Sequence, residues 1–153
     1  MFLFFCSAYA QETNFDSKRK TKDSITIGFY CGFAGNKSQF VKDYEKKFLL
    51  TSDLNELKNN LKLTSIKQAP EAFLSLIICE ALEKHNLIEF NESDRDRIDR
   101  LYRHPMLIFI CEGCIGGESS SLKTLLNKRK EHGITKSARL WAEKIIANRE
   151  NSH

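Results

Sequence analysis

The sequence predicts a mainly α-helical fold that also contains two short strands. Between residues 38 and 150, most apolar side chains recur three and four positions apart, which is the spacing of amphipathic helices. Two runs, residues 25–31 and 106–111, are instead rich in β-branched and aromatic side chains, as strands are. The 153 residues suffice for one domain with a substantial core and are too few for two ordinary domains.

The N-terminal residues are predicted to lie outside this domain. Residues 1–10 are apolar and uncharged and end in Ala8-Tyr9-Ala10, the small-x-small pattern that signal peptidase reads, so we expect a signal peptide. Residues 11–24 are polar and charged and cannot bury enough surface to offset the entropy of ordering, which predicts a flexible leader. Residues 25–150 then form a single helical domain.

Four helices are predicted after the first strand. Gly32, Gly35 and Asn36 end the strand at residues 25–31 in a turn. The helices that follow begin after residues suited to helix starts, such as Ser38 and Asn91. They span about residues 39–50, 54–62, 70–84 and 92–103. The third is apolar almost all around its axis, which predicts a central position in the core.

A second strand and two further helices complete the predicted order. Residues 106–111 form an uninterrupted apolar run, which we interpret as a buried strand. Glycines break it, after which Ser119–Ser121 can cap a short helix that extends to about residue 128. The last helix is expected to open at Thr135 or Ser137 and to present an apolar face that includes Trp141. About six helices result.

Two resemblances accompany these elements. The helices of residues 38–103 resemble the helical hairpins of HEAT-type repeats, with residues 70–82 at their centre. The motif Phe29-Tyr-Cys-Gly-Phe-Ala-Gly35, together with Cys111-Glu-Gly-Cys114 and Trp141, resembles a group of uncharacterised small exported bacterial proteins. This second resemblance implies export but brings no activity, substrate or catalytic residue.

The cysteines are the sharpest chemical feature of the sequence. Removal of a signal peptide leaves four of the five, and an even number in an oxidising compartment favours disulfides. Both strands end in glycine-containing turns, so their pairing side by side would bring Cys31 close to Cys111 or Cys114. We predict a structural disulfide between Cys31 and one of these two, which would close a loop of about 80 residues.

A zinc site is the alternative interpretation of these cysteines. Cys31, Cys111 and Cys114 could bind zinc together with a histidine, for which His104, His85 and His132 are the candidates. A thiol-redox role for Cys111 and Cys114 would require the C-x-x-C motif to open a helix in a βαβ arrangement. Helices rather than further strands are predicted after Cys114, which disfavours that role.

The remaining patterns favour binding over catalysis. No nucleophile elbow, zinc-protease, phosphate-loop or dinucleotide-binding motif occurs, so the chain is predicted not to be an enzyme. The most concrete expectation is a binding or immunity-type module that contacts another protein. Its contact would be a helical surface or the glycine-rich loops that contain Gly32, Gly35, Gly116 and Gly117.

Charge and hydropathy limit the partner and the compartment. The net charge is +4, but the basic residues alternate with acidic ones rather than with aromatic side chains that could stack on bases. Together with export, this predicts no nucleic-acid partner. No apolar run reaches the roughly 20 residues of a transmembrane helix. We therefore expect a periplasmic or secreted protein.

Overall fold

The computed structural model describes residues 25–113 and 117–151. The predicted signal peptide, the predicted leader, Cys114 and Gly116 lie outside the described residues. Within those residues, five α-helices and two 3-10 helices accompany a three-stranded sheet. The prediction of a mainly α-helical fold is therefore confirmed.

The sheet joins the two predicted strands to a third. Strand β1 (Thr26–Cys31) runs parallel to β2 (Leu107–Gly113), with Gly28 opposite Cys111 and Cys31 opposite Gly113. Strand β3 (Glu118–Ser121) pairs with β2 in the antiparallel direction, so β2 is central. A bulge between Gly28 and Tyr30 interrupts the register of β1. The inner face of the sheet is formed by buried isoleucines of β1 and β2.

The helices cover that inner face and the ends of the strands. Two 3-10 helices, Leu54–Leu61 and Ile66–Gln68, lie between the first two α-helices. The α-helices are α1 (Gln39–Leu50), α2 (Ala69–Lys84), α3 (Glu92–Arg103), α4 (Leu122–Leu125) and α5 (Gly133–Glu150).

The central helix is α2, as its composition predicts. Twelve of its sixteen residues are buried, and it packs against the 3-10 helix Leu54–Leu61, against α5 and against β2. Cys79 lies on it with no exposed surface, and burial raises the pKa of its thiol to about 12. Because a thiol with this pKa stays protonated at neutral pH, Cys79 is an inert core residue.

Several predicted elements differ in the structure. The helix expected at residues 54–62 is a 3-10 helix, and the helix expected to extend to residue 128 is the single turn of α4. Ser119 and Ser120 belong to β3, so only Ser121 acts as a cap, accepting a hydrogen bond from the backbone N–H of Thr124. Helix α5 begins before the predicted Thr135 because the His132 side chain caps it.

The HEAT-like pairing of helices is not confirmed. One of the four helices of that segment is a 3-10 helix, and α2 packs extensively against α5, which lies outside residues 38–103. Across residues 25–113 and 117–151, no helix is both long and apolar enough to cross a membrane.

Candidate functional site

An open groove separates α1 from α5. The two helices run in the same direction. Trp141 of α5 contacts Glu45 of α1, and the guanidinium of Arg149, about two turns further along α5, reaches the carbonyl oxygen of Phe48, about one turn further along α1. The groove has a volume of about 940 Å³ and is open to solvent along its length. The end of β1 and the turn that follows it close one end.

The floor of this groove is apolar. Phe29 of β1 and Trp141 and Ile145 of α5 form it, and each is almost fully buried by the core beneath. The rings of Phe29 and Trp141 lie 5.4 Å apart between centroids at an angle of 50°, so they support each other. Leu49 and Leu140 extend the apolar surface onto the two walls, where they are 39% and 58% exposed.

The walls of the groove carry lysines that have no anionic partner. Lys42 and Lys46 of α1 are one turn apart, and Lys144 of α5 faces them across the groove. Among the residues that the structure describes, none of these three ammonium groups forms an ion pair or a hydrogen bond. The rim is therefore positively charged and able to accept anions.

Among the described residues that line the groove, the only carboxylate, that of Glu45, already has two partners. Glu45 accepts a hydrogen bond of 2.8 Å from the indole nitrogen of Trp141 and forms a salt bridge with Lys37. Its pKa lies below the ordinary value: partial burial acts in the opposite direction, but the hydrogen bonds from Lys37 and Trp141 outweigh it. Because Glu45 neutralises only Lys37, the groove keeps an excess of positive charge.

The two predicted glycine-rich loops meet beside this groove. Gly32 and Gly35 adopt left-handed backbone conformations, with φ of 67° and 60°, and Gly35 lines the groove. The backbone N–H of Gly32 donates to the carbonyl oxygen of Gly113 at 3.0 Å, which joins the turn after β1 to the end of β2. Gly117 lies at the start of β3, close to Ile110, and Gly116 is outside the described residues.

Cys31 and Cys111 come together as the pairing of their strands predicts. The Cys31 thiol lies over Gly28 and donates a hydrogen bond to the carbonyl oxygen of Cys111 at 3.5 Å. A Cβ atom on Gly28 would lie 2.0 Å from Cys31 Sγ and 3.2 Å from Cys111 Cβ, so the glycine makes room for both cysteines. The two are free thiols in the structure, and Cys114 is not described.

The surroundings of Cys31 keep its sulfur protonated. Burial raises the pKa of the Cys31 thiol to about 12, and its hydrogen bond and charge interaction with the Cys111 side chain act in the same direction. A thiolate is the form that attacks disulfides and binds metals. In the reduced, metal-free protein, Cys31 is thus mainly a protonated thiol at neutral pH.

The histidines considered as zinc ligands are dispersed. His104 ends α3 and precedes β2, whereas Cys111 lies near the other end of that strand, about 13 Å from its first residue at a rise of roughly 3.3 Å per residue. His85 binds Glu143, and His132 lies near Glu118. The described residues contain no group of three potential metal ligands. His104 therefore does not lie beside Cys31 and Cys111 in the part of the chain that the structure describes, and Cys114 lies outside it.

The groove is the feature that sequence reasoning missed. Its lysines are ordinary surface residues in a helical pattern, and only the exposed Leu49 and Leu140 depart from that pattern. Leu140 falls outside the apolar face predicted for the last helix, which is the one local signal that this helix has a second apolar surface.

Comparisons with known proteins found no relative of this chain. No family model, no curated protein and no solved structure matches the chain. The site must therefore be interpreted from its own geometry.

Proposed function

We propose that this chain is a protein-interaction module that holds a segment of a partner protein in the groove between α1 and α5. The observation that carries the proposal is an apolar floor flanked by three lysines without anionic partners. Binding sites for peptides combine such an apolar surface with polar groups that set orientation. A rigid base of buried aromatic rings supports the groove.

The exposed leucines of the groove give the proposal a direct test. A photo-reactive amino acid at Leu140, which is 58% exposed in the groove, should form discrete adducts with a partner protein in cells that produce this chain. The same replacement at Leu87, which is 40% exposed and lies outside the groove, is the matched control. Adducts should form only at position 140, and Lys42→Glu with Lys46→Glu should abolish them.

Two results would contradict the proposal. The same adducts at positions 140 and 87 would show that cross-linking reports only general surface exposure. Absence of adducts at 140, with the folded protein present at normal levels, would show that the groove holds no partner segment.

Export and a disulfide form the second part of the proposal. The apolar residues 1–10 and the pattern Ala8-Tyr9-Ala10 support removal of a signal peptide and a periplasmic or secreted location. The proximity of Cys31 to Cys111 supports a disulfide that involves Cys31 in an oxidising compartment. Such a bond would anchor β1 to the sheet.

The intact mass of the exported protein, measured after alkylation with and without reductant, tests this part. We expect a chain that begins after Ala10 and two cysteines protected until reduction, with Cys31→Ala releasing the partner thiol. Loss of the buried Cys79 should not change the protected count. Four free thiols in the exported protein would contradict the disulfide, and zinc bound at one ion per chain would establish the metal site in its place.

A further inference from the structure

We infer that the segment held in the α1–α5 groove is an acidic amphipathic helix of about three turns. This inference rests on the proposed function and specifies its partner. It follows from the dimensions of the groove, from the hydrogen-bonding state of the neighbouring strand and from the charge of the walls.

The length of the groove matches a short helix. Its lining residues extend from Gln39 to Leu49 on α1 and from Ser137 to Asn148 on α5, which is about 15 Å along each wall at roughly 1.5 Å per residue. On each wall they recur three and four positions apart, so the groove lies between two ridged helical surfaces. A third helix of ten to twelve residues, on the order of three turns, fills such a groove with one apolar face.

An extended peptide is disfavoured because the outer edge of β1 is already hydrogen bonded. The Gly28 N–H donates to Ser38 Oγ at 3.2 Å, and the Gly28 carbonyl accepts from the Ser38 N–H at 2.8 Å. Beyond it, Cys31 and Asn36 exchange two backbone hydrogen bonds. A peptide strand added to this edge would have to displace these bonds, so β-strand addition does not suit the groove.

The charge of the groove selects an acidic occupant. Of residues 25–113 and 117–151, four lysines and one glutamate line it, and the glutamate is neutralised by Lys37. Carboxylates on the flanks of a bound helix can reach Lys42 and Lys46 on one wall and Lys144 on the other. The sequence that precedes β1 does not have the charge of such an occupant, because residues 17–22 include four basic side chains and no acidic one.

The groove is less suited to a nucleic acid. Single-stranded nucleic acids bind through aromatic faces on which bases stack. Of the three aromatic residues that line the groove, Phe29 and Trp141 are each 4% exposed and pack against each other, so neither offers a free face. Only Tyr30, which is 59% exposed, could stack on a base, and one such face does not form a track for successive bases. The lysines lie on opposite walls rather than along one track, which fits two acidic flanks of a helix better than one phosphate backbone.

Two designed peptides test the inference with the full mature protein. The first is an amphipathic helix of about twelve residues with leucines on one face and glutamates on the other, and the second replaces every glutamate by lysine. Binding is followed by the fluorescence of Trp141, the single tryptophan of the chain, and by calorimetry. We expect micromolar binding of the acidic peptide, at least about tenfold weaker binding of the basic peptide, and weakening by added salt.

Charge-reversed variants locate the binding. Lys42→Glu with Lys46→Glu should lower the affinity for the acidic peptide about tenfold and raise the affinity for the basic peptide. Lys123→Glu, an exposed lysine of α4 outside the groove, should leave both affinities unchanged. Circular dichroism of each variant confirms that the fold is retained.

Three outcomes would overturn the inference. Equal affinity for the two peptides would show that the groove does not select an acidic partner. If neither peptide binds at millimolar concentration, the groove does not hold an amphipathic helix. Displacement of the acidic peptide by a short oligouridylate, lost in the Lys42→Glu, Lys46→Glu variant, would make the groove a nucleic-acid site. If the peptides fail while cross-linking at Leu140 still captures a partner, the proposed function stands and only the nature of its partner changes.

Discussion

At the scale of single residues, Gly28 determines how closely β1 and β2 can approach at the cysteines. It is opposite Cys111 in the sheet, and the Cys31 sulfur occupies the space that a side chain at position 28 would take. Any larger residue must displace that sulfur and also approaches the backbone oxygen of Cys111 within 2.9 Å. The glycine is required by packing and not by an unusual φ angle.

Replacement of this glycine should therefore destabilise the protein. We expect Gly28→Ala to lower the free energy of unfolding by about 2 kcal/mol, as overpacking of a core typically does. Removing the sulfur in Gly28→Ala, Cys31→Ala should recover part of the loss, since the closest contact is removed and only the contacts with the backbone oxygen and Cβ of Cys111 remain. Urea denaturation of these two variants and of Cys31→Ala measures the interaction free energy between positions 28 and 31. Strict additivity of the two substitutions would contradict the close contact.

Glu45 makes a second prediction at this scale, one that depends on pH. Folding lowers the pKa of Glu45 below its ordinary value of 4.5, so the stabilisation is complete above that pH and is lost as the pH falls below it. Glu45→Gln keeps an oxygen that can accept from Trp141 but has no charge for Lys37. The free energy of unfolding of the wild type should exceed that of this variant by about 1 kcal/mol at pH 7.

The difference between wild type and Glu45→Gln should shrink toward zero as the pH falls through the range below 4.5, where the wild-type carboxyl becomes protonated. Denaturant unfolding at a series of pH values gives this curve. A difference that stays constant with pH would mean that the charge of Glu45 contributes nothing.

Residue types at helix starts were the most predictable part of the structure. Ser38 and Asn91 each accept a backbone hydrogen bond at the start of a helix, as their local sequence predicts. The role of Gly28 was not predictable in the same way, because it depends on the register between strands separated by 80 residues of sequence. The free lysines of the groove also became recognisable only when their surroundings were known.

At the scale of elements, Ser38 links α1 to β1. Its hydroxyl oxygen accepts from Val41 N–H at the helix start and from Gly28 N–H in the strand, at 3.4 and 3.2 Å. In the described part of the chain, both hydrogen bonds of the Ser121 hydroxyl, the cap of α4, are made with Thr124 of that same helix. The loss of Ser38 therefore affects two elements.

We expect Ser38→Ala to cost about 2 kcal/mol, the upper end of the range for N-cap residues, and Ser121→Ala about 1 kcal/mol. Urea denaturation of the two variants, measured under identical conditions, makes the comparison. Equal losses would mean that the hydrogen bond from Gly28 is not part of the stabilisation.

The elements that the sequence did not predict are those without a local apolar pattern. Strand β3 consists of Glu118 and three serines and is stabilised by its backbone pairing with β2, which periodicity cannot reveal. The segment Leu54–Leu61 has helical spacing, but its residues form a 3-10 helix, a distinction that apolar spacing does not resolve. The start of α5 depends on a histidine cap, which the preference for Ser, Thr, Asp and Asn did not suggest.

At the scale of the whole molecule, one core connects the sheet with every long helix. Buried residues of β1, α1, α2 and α5 belong to the same cluster, and Trp141 lies where β1, α1 and α5 meet. The mainly helical class followed from composition and spacing. The groove did not, because it requires α1 and α5, which are far apart in sequence, to lie side by side.

A single core predicts a single unfolding transition. The urea midpoint measured by far-ultraviolet circular dichroism, which reports all the helices, should coincide with that measured by the fluorescence of Trp141. The tryptophan is unique in the chain, so its signal reports only the junction of β1, α1 and α5. An earlier fluorescence transition would show that this junction unfolds separately from α2.

The parallel pairing of β1 with β2 also sets the order of events during biosynthesis. This pairing brings together Cys31 and Cys111, which are 80 residues apart in the sequence. At translation rates of about 5 to 20 residues per second, β1 waits roughly 4 to 16 seconds for its neighbour to be synthesised. Until then Ile27 and Phe29 have no sheet to join, and the nascent chain remains open to chaperones and to any machinery that threads unfolded polypeptides.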